Sequence, residues 1–164
     1  MHHWRGYSDP SGTRITVVYP YEAVQYRYDP ATNTYRRYVR PPRGGAFKAQ
    51  VDAADGQPVA PKNVVILKMA FGPLNDGHPK KHRLEAHDVG KGVAWISTNG
   101  LTVKGTWRKA SPTAPTRLFG PDGKPIVLTA GQTFVQVMKL EDTVTIRDGV
   151  VAPQPFKPFD LIPL

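Results

Sequence analysis

NGLTVKGTWRK, residues 99–109, predicts a tight β-hairpin from its first two letters. Asn99 and Gly100 are the residue types that best accept the positive φ angles of a type I′ turn. Alternating residues stand on both sides of the pair, as two strands joined by such a turn require. The two-residue turn also fixes the register, because it places Thr98 opposite Leu101. All other cross-strand pairs of the hairpin follow from that one.

The predicted register sorts the hairpin into two unlike faces. The apolar face comprises Ala94, Ile96, Leu101, Val103 and Trp107, and the other face comprises Val93, Trp95, Ser97, Thr102, Lys104 and Thr106. We expect Trp107 in the core, because large aromatic side chains are mostly buried. Trp95 lies opposite Lys104, whose aliphatic stem can rest on the indole ring. Trp95 and Lys104 therefore remain candidates for a binding ridge.

The rest of the chain repeats the pattern of short strands. Apolar residues recur with period two or in short runs, and Pro, Gly, Asn or Asp interrupts them about every 8–12 residues. Since the connections are too short for crossover helices, the sequence predicts an all-β fold. We expect an antiparallel sandwich or partly open barrel built from β-hairpins, with little helix. The predicted strands are 14–19, 22–28, 35–39, 46–51, 63–71, 82–89, 92–98, 101–107, 125–129, 133–139 and 143–147.

A chain of 164 residues fits one domain with a sizeable core better than two small ones. We expect that single β domain to span residues 14–151. Residues 1–13 are interpreted as an N-terminal extension or an artificial start of the chain. The tail, residues 152–164, has four prolines and cannot be a central strand, so it is either a docked arm or mobile.

Composition and motifs exclude several chemistries. The chain has no cysteine, which rules out disulfides, thiolate metal sites and cysteine nucleophiles. It has no nucleophile elbow, phosphate loop or dinucleotide fingerprint, and no apolar run long enough to span a membrane. His82 and His87 point to opposite faces of a predicted strand, so we expect no shared metal. The sequence therefore nominates no catalytic residue, metal ligand or cofactor.

Positive charge is concentrated in a second predicted hairpin, VQYRYDPATNTYRRYV, residues 24–39. The chain carries a net charge of +9, which favours anionic partners of any kind. Pairing Asp29 with Thr34 gives an aromatic face with one embedded arginine and a basic face. The aromatic face comprises Val24, Tyr26, Tyr28, Tyr35, Arg37 and Val39, and the basic face comprises Gln25, Arg27, Arg36, Tyr38 and Arg40.

The two faces predict different roles for their cations. Arg37 is expected to stack on a ring or to pair with a carboxylate such as Asp52. The outer cations are expected to stay free, because no acid between Pro30 and Val51 offsets them. The candidate binding residues are Arg27, Arg36, Arg37, Arg40, Arg43, Tyr38, Trp95 and Lys104.

A series of turn motifs runs in order through residues 14–139, and the series resembles the C-terminal domain of the YerB-like lipoprotein family. Members of that family belong to bacterial cell envelopes and have no known biochemical function. One position departs from the pattern, since Phe134 stands where the family usually has tryptophan. The motifs are Tyr28-Asp29, Tyr35 with Arg37, Asp52, Asn63-Val64-Val65, Gly90 with Gly92, Asn99-Gly100, Gly105-Thr106-Trp107-Arg108-Lys109, Pro115-Thr116, Asp122-Gly123 and Gly131-Gln132-Thr133.

The resemblance implies an extracytoplasmic, envelope-associated protein whose lipid anchor, if it has one, lies outside this chain. It favours a non-catalytic binding domain that contacts an envelope protein or an anionic wall polymer. Two alternatives stay open. One is a nucleic-acid-binding β domain that uses the basic Tyr/Arg hairpin. The other is a hydrolase that uses Asp52 and a nearby histidine.

Overall fold

The computed structural model describes residues 13–147, which form twelve β-strands and one turn of 3₁₀ helix. The all-β prediction is confirmed, and the described residues contain no helix long and apolar enough to cross a membrane. The predictions for residues 1–13 and 152–164 lie, apart from Thr13, outside the described residues. The elements are β1 (Arg14–Val18), β2 (Ala23–Asp29), β3 (Thr34–Arg40), β4 (Lys48–Ala49), β5 (Asn63–Met69), β6 (Phe71–Pro73), the 3₁₀ turn (Pro79–Lys81), β7 (Leu84–Ala86), β8 (Gly90–Thr98), β9 (Leu101–Lys109), β10 (Arg117–Phe119), β11 (Thr133–Lys139) and β12 (Thr143–Arg147).

The strands form two five-stranded sheets and one small hairpin. Sheet 1 has the order β12-β1-β2-β3-β4, sheet 2 has the order β10-β9-β8-β5-β11, and β6 pairs with β7. Sheets 1 and 2 pack face to face as an open sandwich, and the described strands do not close into a barrel. Of the two architectures predicted from the sequence, the sandwich is the one observed.

The first core cluster lies between the two sheets. Ile15 and Tyr26 contribute from sheet 1, and Val64, Ile66 and Met138 contribute from sheet 2, all fully buried. These residues alternate along their strands with residues of the opposite faces, as the period of two requires. The alternation therefore directs the apolar side of each sheet toward the other sheet.

The second core cluster covers the opposite face of sheet 2. Leu118, Ile126 and Leu128 pack over it from the segment that follows β9. Trp107 lies in this cluster with 2% of its surface exposed, and its indole N–H donates to the carbonyl of Lys68 at 2.8 Å. The β8–β9 register is the one predicted from the turn, so the burial of Trp107 is confirmed.

Two positions in this hairpin are glycine because a Cβ atom has no room there, and not because a turn requires it. A Cβ at Gly92 would lie 2.6 Å from the indole nitrogen of Trp107, and a Cβ at Gly105 would lie 2.0 Å from the carbonyl oxygen of Phe119. Both distances are shorter than any side chain tolerates. Gly92 therefore makes room for Trp107, and Gly105 lets the chain after β9 approach the sheet.

The antiparallel sandwich predicted from the sequence contains one parallel pair, because β11 runs parallel to β5. One edge of β5 already carries its antiparallel partner β8. Five strands, β6 to β10, lie between β5 and β11 in the chain, which is a connection long enough for parallel pairing. The sequence of β11 alternates in the same way in either direction, so it carries no local sign of its orientation.

Most of the predicted strands match observed ones. The predicted strand 63–71 divides into β5 and the first residue of β6, and the predicted strand 46–51 shortens to the two residues of β4. The largest departure lies near residues 110–130. The apolar run 125–129 is not a strand, and it places Ile126 and Leu128 over the second core cluster. The short strand β10, absent from the prediction, pairs with β9 instead. The three residues of β10 are too few to show a periodicity of two. The run 125–129 is apolar because it is buried against sheet 2, and an apolar run of that length is also typical of a strand.

Candidate functional site

The basic hairpin β2–β3 has the register predicted from its sequence. Asp29 pairs with Thr34, Tyr28 with Tyr35, and Tyr26 with Arg37. The aromatic face turns toward sheet 2, where Tyr26 and Tyr35 are fully buried. Burial raises the pKa of Tyr26 to about 12, and burial also raises the pKa of Tyr35. This face is therefore core, and the opposite face of the hairpin is the one available to a ligand.

Arg37 is engaged within the domain. Its guanidinium lies 4.9 Å from the ring centre of Phe134, and its Nε donates to the hydroxyl of Tyr26 at 3.3 Å. Its Nη1 donates to the side-chain oxygen of Gln50. Stacking on a ring is thus confirmed, while pairing with Asp52 is wrong because the neutral amide of Gln50 occupies that position. Arg37 lies on the inner face, apart from the other predicted binding arginines.

The outer face of the hairpin presents Arg27, Arg36, Tyr38 and Arg40. Arg27 is held in place, since its guanidinium carbon lies 4.0 Å above the ring of Tyr38 and its Nε donates to Gln25 at 2.7 Å. Arg40 lies 5.1 Å over the ring of Phe47. Within residues 13–147 these contacts engage Nε or one face of the guanidinium, so the terminal Nη groups can donate hydrogen bonds to the oxygen atoms of an anion.

One part of the charge prediction is wrong. Arg36 forms an ion pair with Asp29 at 3.4 Å, so an acid just outside the window 30–51 does offset one of the cations. The side chain of Arg36 is half exposed, and exposed pairs contribute about 0–1 kcal/mol. The ion pair therefore orients the side chain of Arg36 and leaves it accessible to a ligand.

Two further arginines extend this face beyond the hairpin. Arg14 of β1 pairs in register with Arg27, and Arg147 of β12 pairs in register with Arg14. Together with the pairing of Arg27 and Arg36, this gives a row of four arginines across four neighbouring strands. We call it the arginine row. Sequence reasoning missed Arg14 and Arg147, and the available signal was an arginine at the start of the first predicted strand and another at the end of the last.

Trp95 and Lys104 form a separate feature on sheet 2. They pair in register, and Nζ of Lys104 lies 5.6 Å from the centre of the indole ring, as predicted. A second cation, Lys68, lies 5.9 Å from the same ring and donates to the backbone carbonyl of Leu140. Trp95 is partly buried against the first core cluster. The remaining predicted binding residue, Arg43, is exposed in the loop after β3.

A groove of about 540 Å³ lies between the loop 52–61 and the start of β11. Asp52, Asp55, Pro58 and Phe134 are among its lining residues. One carboxylate oxygen of each aspartate accepts a backbone N–H within its own turn. None of the residues from the described part of the chain that line this groove is a histidine.

The histidine-containing segment 76–88 is held by local contacts. Asp76 pairs with Arg83, and the ring of His78 lies 3.7 Å from the same carboxylate. Lys109 forms a hydrogen bond with Asp88, which lowers the pKa of that carboxyl group. Among residues 13–147 no three His, Asp or Glu side chains are arranged to hold a metal ion.

The open sandwich with its basic outer face belongs to a class of domains known by sequence and fold but not by activity. Residues 15–135 match the family model described as the C-terminal domain of the proteins of unknown function DUF3048, and the chain belongs to that family. The YerB-like resemblance of its turn motifs is thereby confirmed.

The fold is also similar to that in the crystal structure of the YerB protein from Bacillus subtilis, with a TM-score of 0.64 and 18% sequence identity. The match covers 80% of this chain and 43% of the YerB chain. At that identity the likeness shows the fold alone, and this chain corresponds to less than half of the YerB protein. No curated protein matches the sequence.

Proposed function

We propose that this domain is a non-catalytic binding module of a bacterial cell-envelope protein, and that it contacts an anionic wall polymer or an acidic partner surface. The observation that carries the proposal is the placement of Arg27, Arg36 and Arg40 on one outer face of sheet 1. The aromatic contacts of Arg27 and Arg40 order their side chains before any partner arrives. An ordered arginine loses less conformational entropy on binding than a mobile one.

The chemistry of arginine favours an oxyanion as the partner. The guanidinium group is always charged, and its planar fork matches two oxygens of a phosphate or carboxylate. A net charge of +9 adds a long-range attraction that raises the rate of encounter with a polyanion. The envelope location rests on the family likeness.

The test compares two charge reversals of equal size. Arg36→Glu with Arg40→Glu alters the outer face, while Lys80→Glu with Lys81→Glu alters the exposed 3₁₀ turn and serves as the control. We expect the first pair to abolish binding to a poly(glycerol phosphate) wall polymer and the control to retain most of it. Both should stay folded, because exposed charges change stability by about 0.5 kcal/mol or less.

Nucleic acid is the contrasting partner in the same assay. Four phosphate contacts with duplex DNA give a slope of about −3.6 for log affinity against log salt, so nonspecific binding is lost near physiological salt. Tight DNA binding that persists at physiological salt would contradict the wall-polymer proposal. Unchanged polymer binding by the Arg36 and Arg40 variant would show that the outer face is only solvated surface.

A further inference from the structure

The arginine row crosses sheet 1 at right angles to its strands. It runs in the order Arg147, Arg14, Arg27, Arg36 over β12, β1, β2 and β3. Neighbouring strands are about 4.8 Å apart, so the four Cα atoms span about 14 Å. All four residues belong to the outer face, because the alternate residues Ile15, Tyr26, Tyr35 and Ile146 pack into the core between the sheets.

The positive charge of the arginine row is only partly balanced by carboxylates of the described residues. Among residues 13–147, Asp29 is the carboxylate that pairs with it, and it reaches the Arg36 end. Nε of Arg14, at the middle of the row, is buried and has no hydrogen-bond partner in that part of the chain. Like charges directly opposite one another on a sheet are destabilising, and so is an unsatisfied buried donor. An anion lying on the row would relieve the repulsion between the four arginines.

We propose that the arginine row binds one linear phosphate polymer that lies across the strands, with successive phosphates contacted by successive arginines. This inference rests on the proposed function and specifies its ligand and the direction in which the ligand lies. Arg14 and Arg147 become binding residues, and Arg43, in the loop beyond β3, contributes less than either.

The polymer that fits this row carries no bases. Proteins that bind single-stranded nucleic acid combine cations with aromatic rings on which the bases stack. On this face the ring of Tyr38 is covered by Arg27 at 4.0 Å, and the ring of Phe47 is approached by Arg40 at 5.1 Å. One face of each ring is thus already occupied by an arginine, while the guanidinium groups match phosphate oxygens. Recognition of a bare phosphate chain follows.

The test uses long-chain inorganic polyphosphate and pyrophosphate as probes. Pyrophosphate reaches no more than two neighbouring arginines, so we expect the parent domain to prefer the long chain strongly. Arg14→Gln with Arg147→Gln should weaken long-chain binding about a hundredfold, at about tenfold for each lost charged hydrogen bond. It should also reduce the salt slope by about 1.4, at about 0.7 for each contact with a single-stranded polyanion.

A charge-matched control, Lys80→Gln with Lys81→Gln, should leave the long-chain affinity within a few-fold of the parent, since it lowers the net charge equally away from the row. Should the Arg14 variant fail to fold, Arg147→Gln alone decides, because Arg147 is exposed at the end of β12. It should then weaken long-chain binding about tenfold.

Three outcomes would overturn the inference. In the first, Arg14→Gln with Arg147→Gln binds polyphosphate as the parent does, while the Arg36 and Arg40 reversal does not; the row then fails and the proposed function stands. In the second, both variants bind as the parent does, and both ideas fail. In the third, single-stranded DNA binds more tightly than polyphosphate at equal salt, which identifies a nucleic-acid site.

Discussion

The hydroxyl oxygen of Tyr35 accepts a hydrogen bond from the backbone N–H of Gly100 at 2.9 Å. Tyr35 belongs to sheet 1 and is fully buried, and Gly100 belongs to the turn that joins two strands of sheet 2. Next to this bond, Nδ2 of Asn33 donates to the side-chain oxygen of Asn99 at 2.8 Å, so the turns of the two hairpins touch. The Asn-Gly turn therefore sets a register and also fastens one sheet to the other.

Replacing Tyr35 with phenylalanine should destabilise the domain. The substitution leaves the N–H of Gly100 buried without a partner, which costs about 1–3 kcal/mol. Tyr28→Phe is the matched control, because its hydroxyl donates to Asn33 near the surface and water can replace that bond. Urea denaturation measures both, and equal loss in the two variants would contradict the role given to the Tyr35–Gly100 bond.

Trp107→Ala should cost about 3–5 kcal/mol of unfolding free energy, as large-to-small changes in a core do. Trp107 is buried and its indole N–H satisfies the carbonyl of Lys68. Trp95→Ala should cost clearly less, because Trp95 is only partly buried and two lysines, Lys68 and Lys104, cover its ring. Urea midpoints of the two variants check this, and indistinguishable midpoints would refute it.

Gly105→Ala should destabilise more than Gly123→Ala. The first places a methyl group 2.0 Å from the carbonyl oxygen of Phe119, where the backbone would have to move. The second adds a methyl group with open space around it, at a φ of +74°, and costs only backbone strain of about 1–2 kcal/mol. Thermal melting of both variants provides the comparison. If Gly123→Ala melts lower, then β10 does not approach β9 as closely as described.

Stability should fall as the pH rises through the range from 10 to about 12. Burial raises the pKa of Tyr26 to about 12, and it also raises the pKa of Tyr35, from an ordinary value of 10.0. Above pH 10 the unfolded chain loses these protons first, so the folded state binds more protons and stability decreases with pH. Each group contributes at most about 1.4 kcal/mol per pH unit.

The matching variant is Tyr26→Phe, which removes one of the two titrating groups. Its unfolding free energy, measured by urea denaturation at several alkaline pH values, should decline less steeply than that of the parent. The same slope in both proteins would assign the alkaline loss of stability to groups other than Tyr26.

Local turn chemistry explains what could be predicted from the sequence. Asn99-Gly100 gave the register of one hairpin, and the pairing of Asp29 with Thr34 gave that of the other, because each turn joins neighbouring residues. The faces followed from the period of two. The burial of Trp107 and the contact of Lys104 with Trp95 were therefore predictable.

Pairings between distant segments could not be predicted in this way. Arg14 and Arg147 join the arginine row only because β1 pairs with β12. Neither strand carries a sequence signal that identifies the other as its partner. The parallel direction of β11 was missed for the same reason. The partner of Arg37 was also missed, since the loop that carries Gln50 and Asp52 offers both an amide and a carboxylate within reach of the hairpin. The row is thus a property of the topology.

The pairing of the first strand with the last also governs when the domain can fold during its synthesis. A ribosome adds about 5–20 residues per second, so roughly 6–25 s separate the appearance of β1 from that of β12. The edge of β5 that pairs with β11 stays unpaired until β11 is synthesised, shortly before β12. Throughout this interval the nascent chain presents two unpaired strand edges, the feature that favours association between neighbouring chains. Both sheets are completed only after β12 has been synthesised, so residues 14–147 fold as one unit.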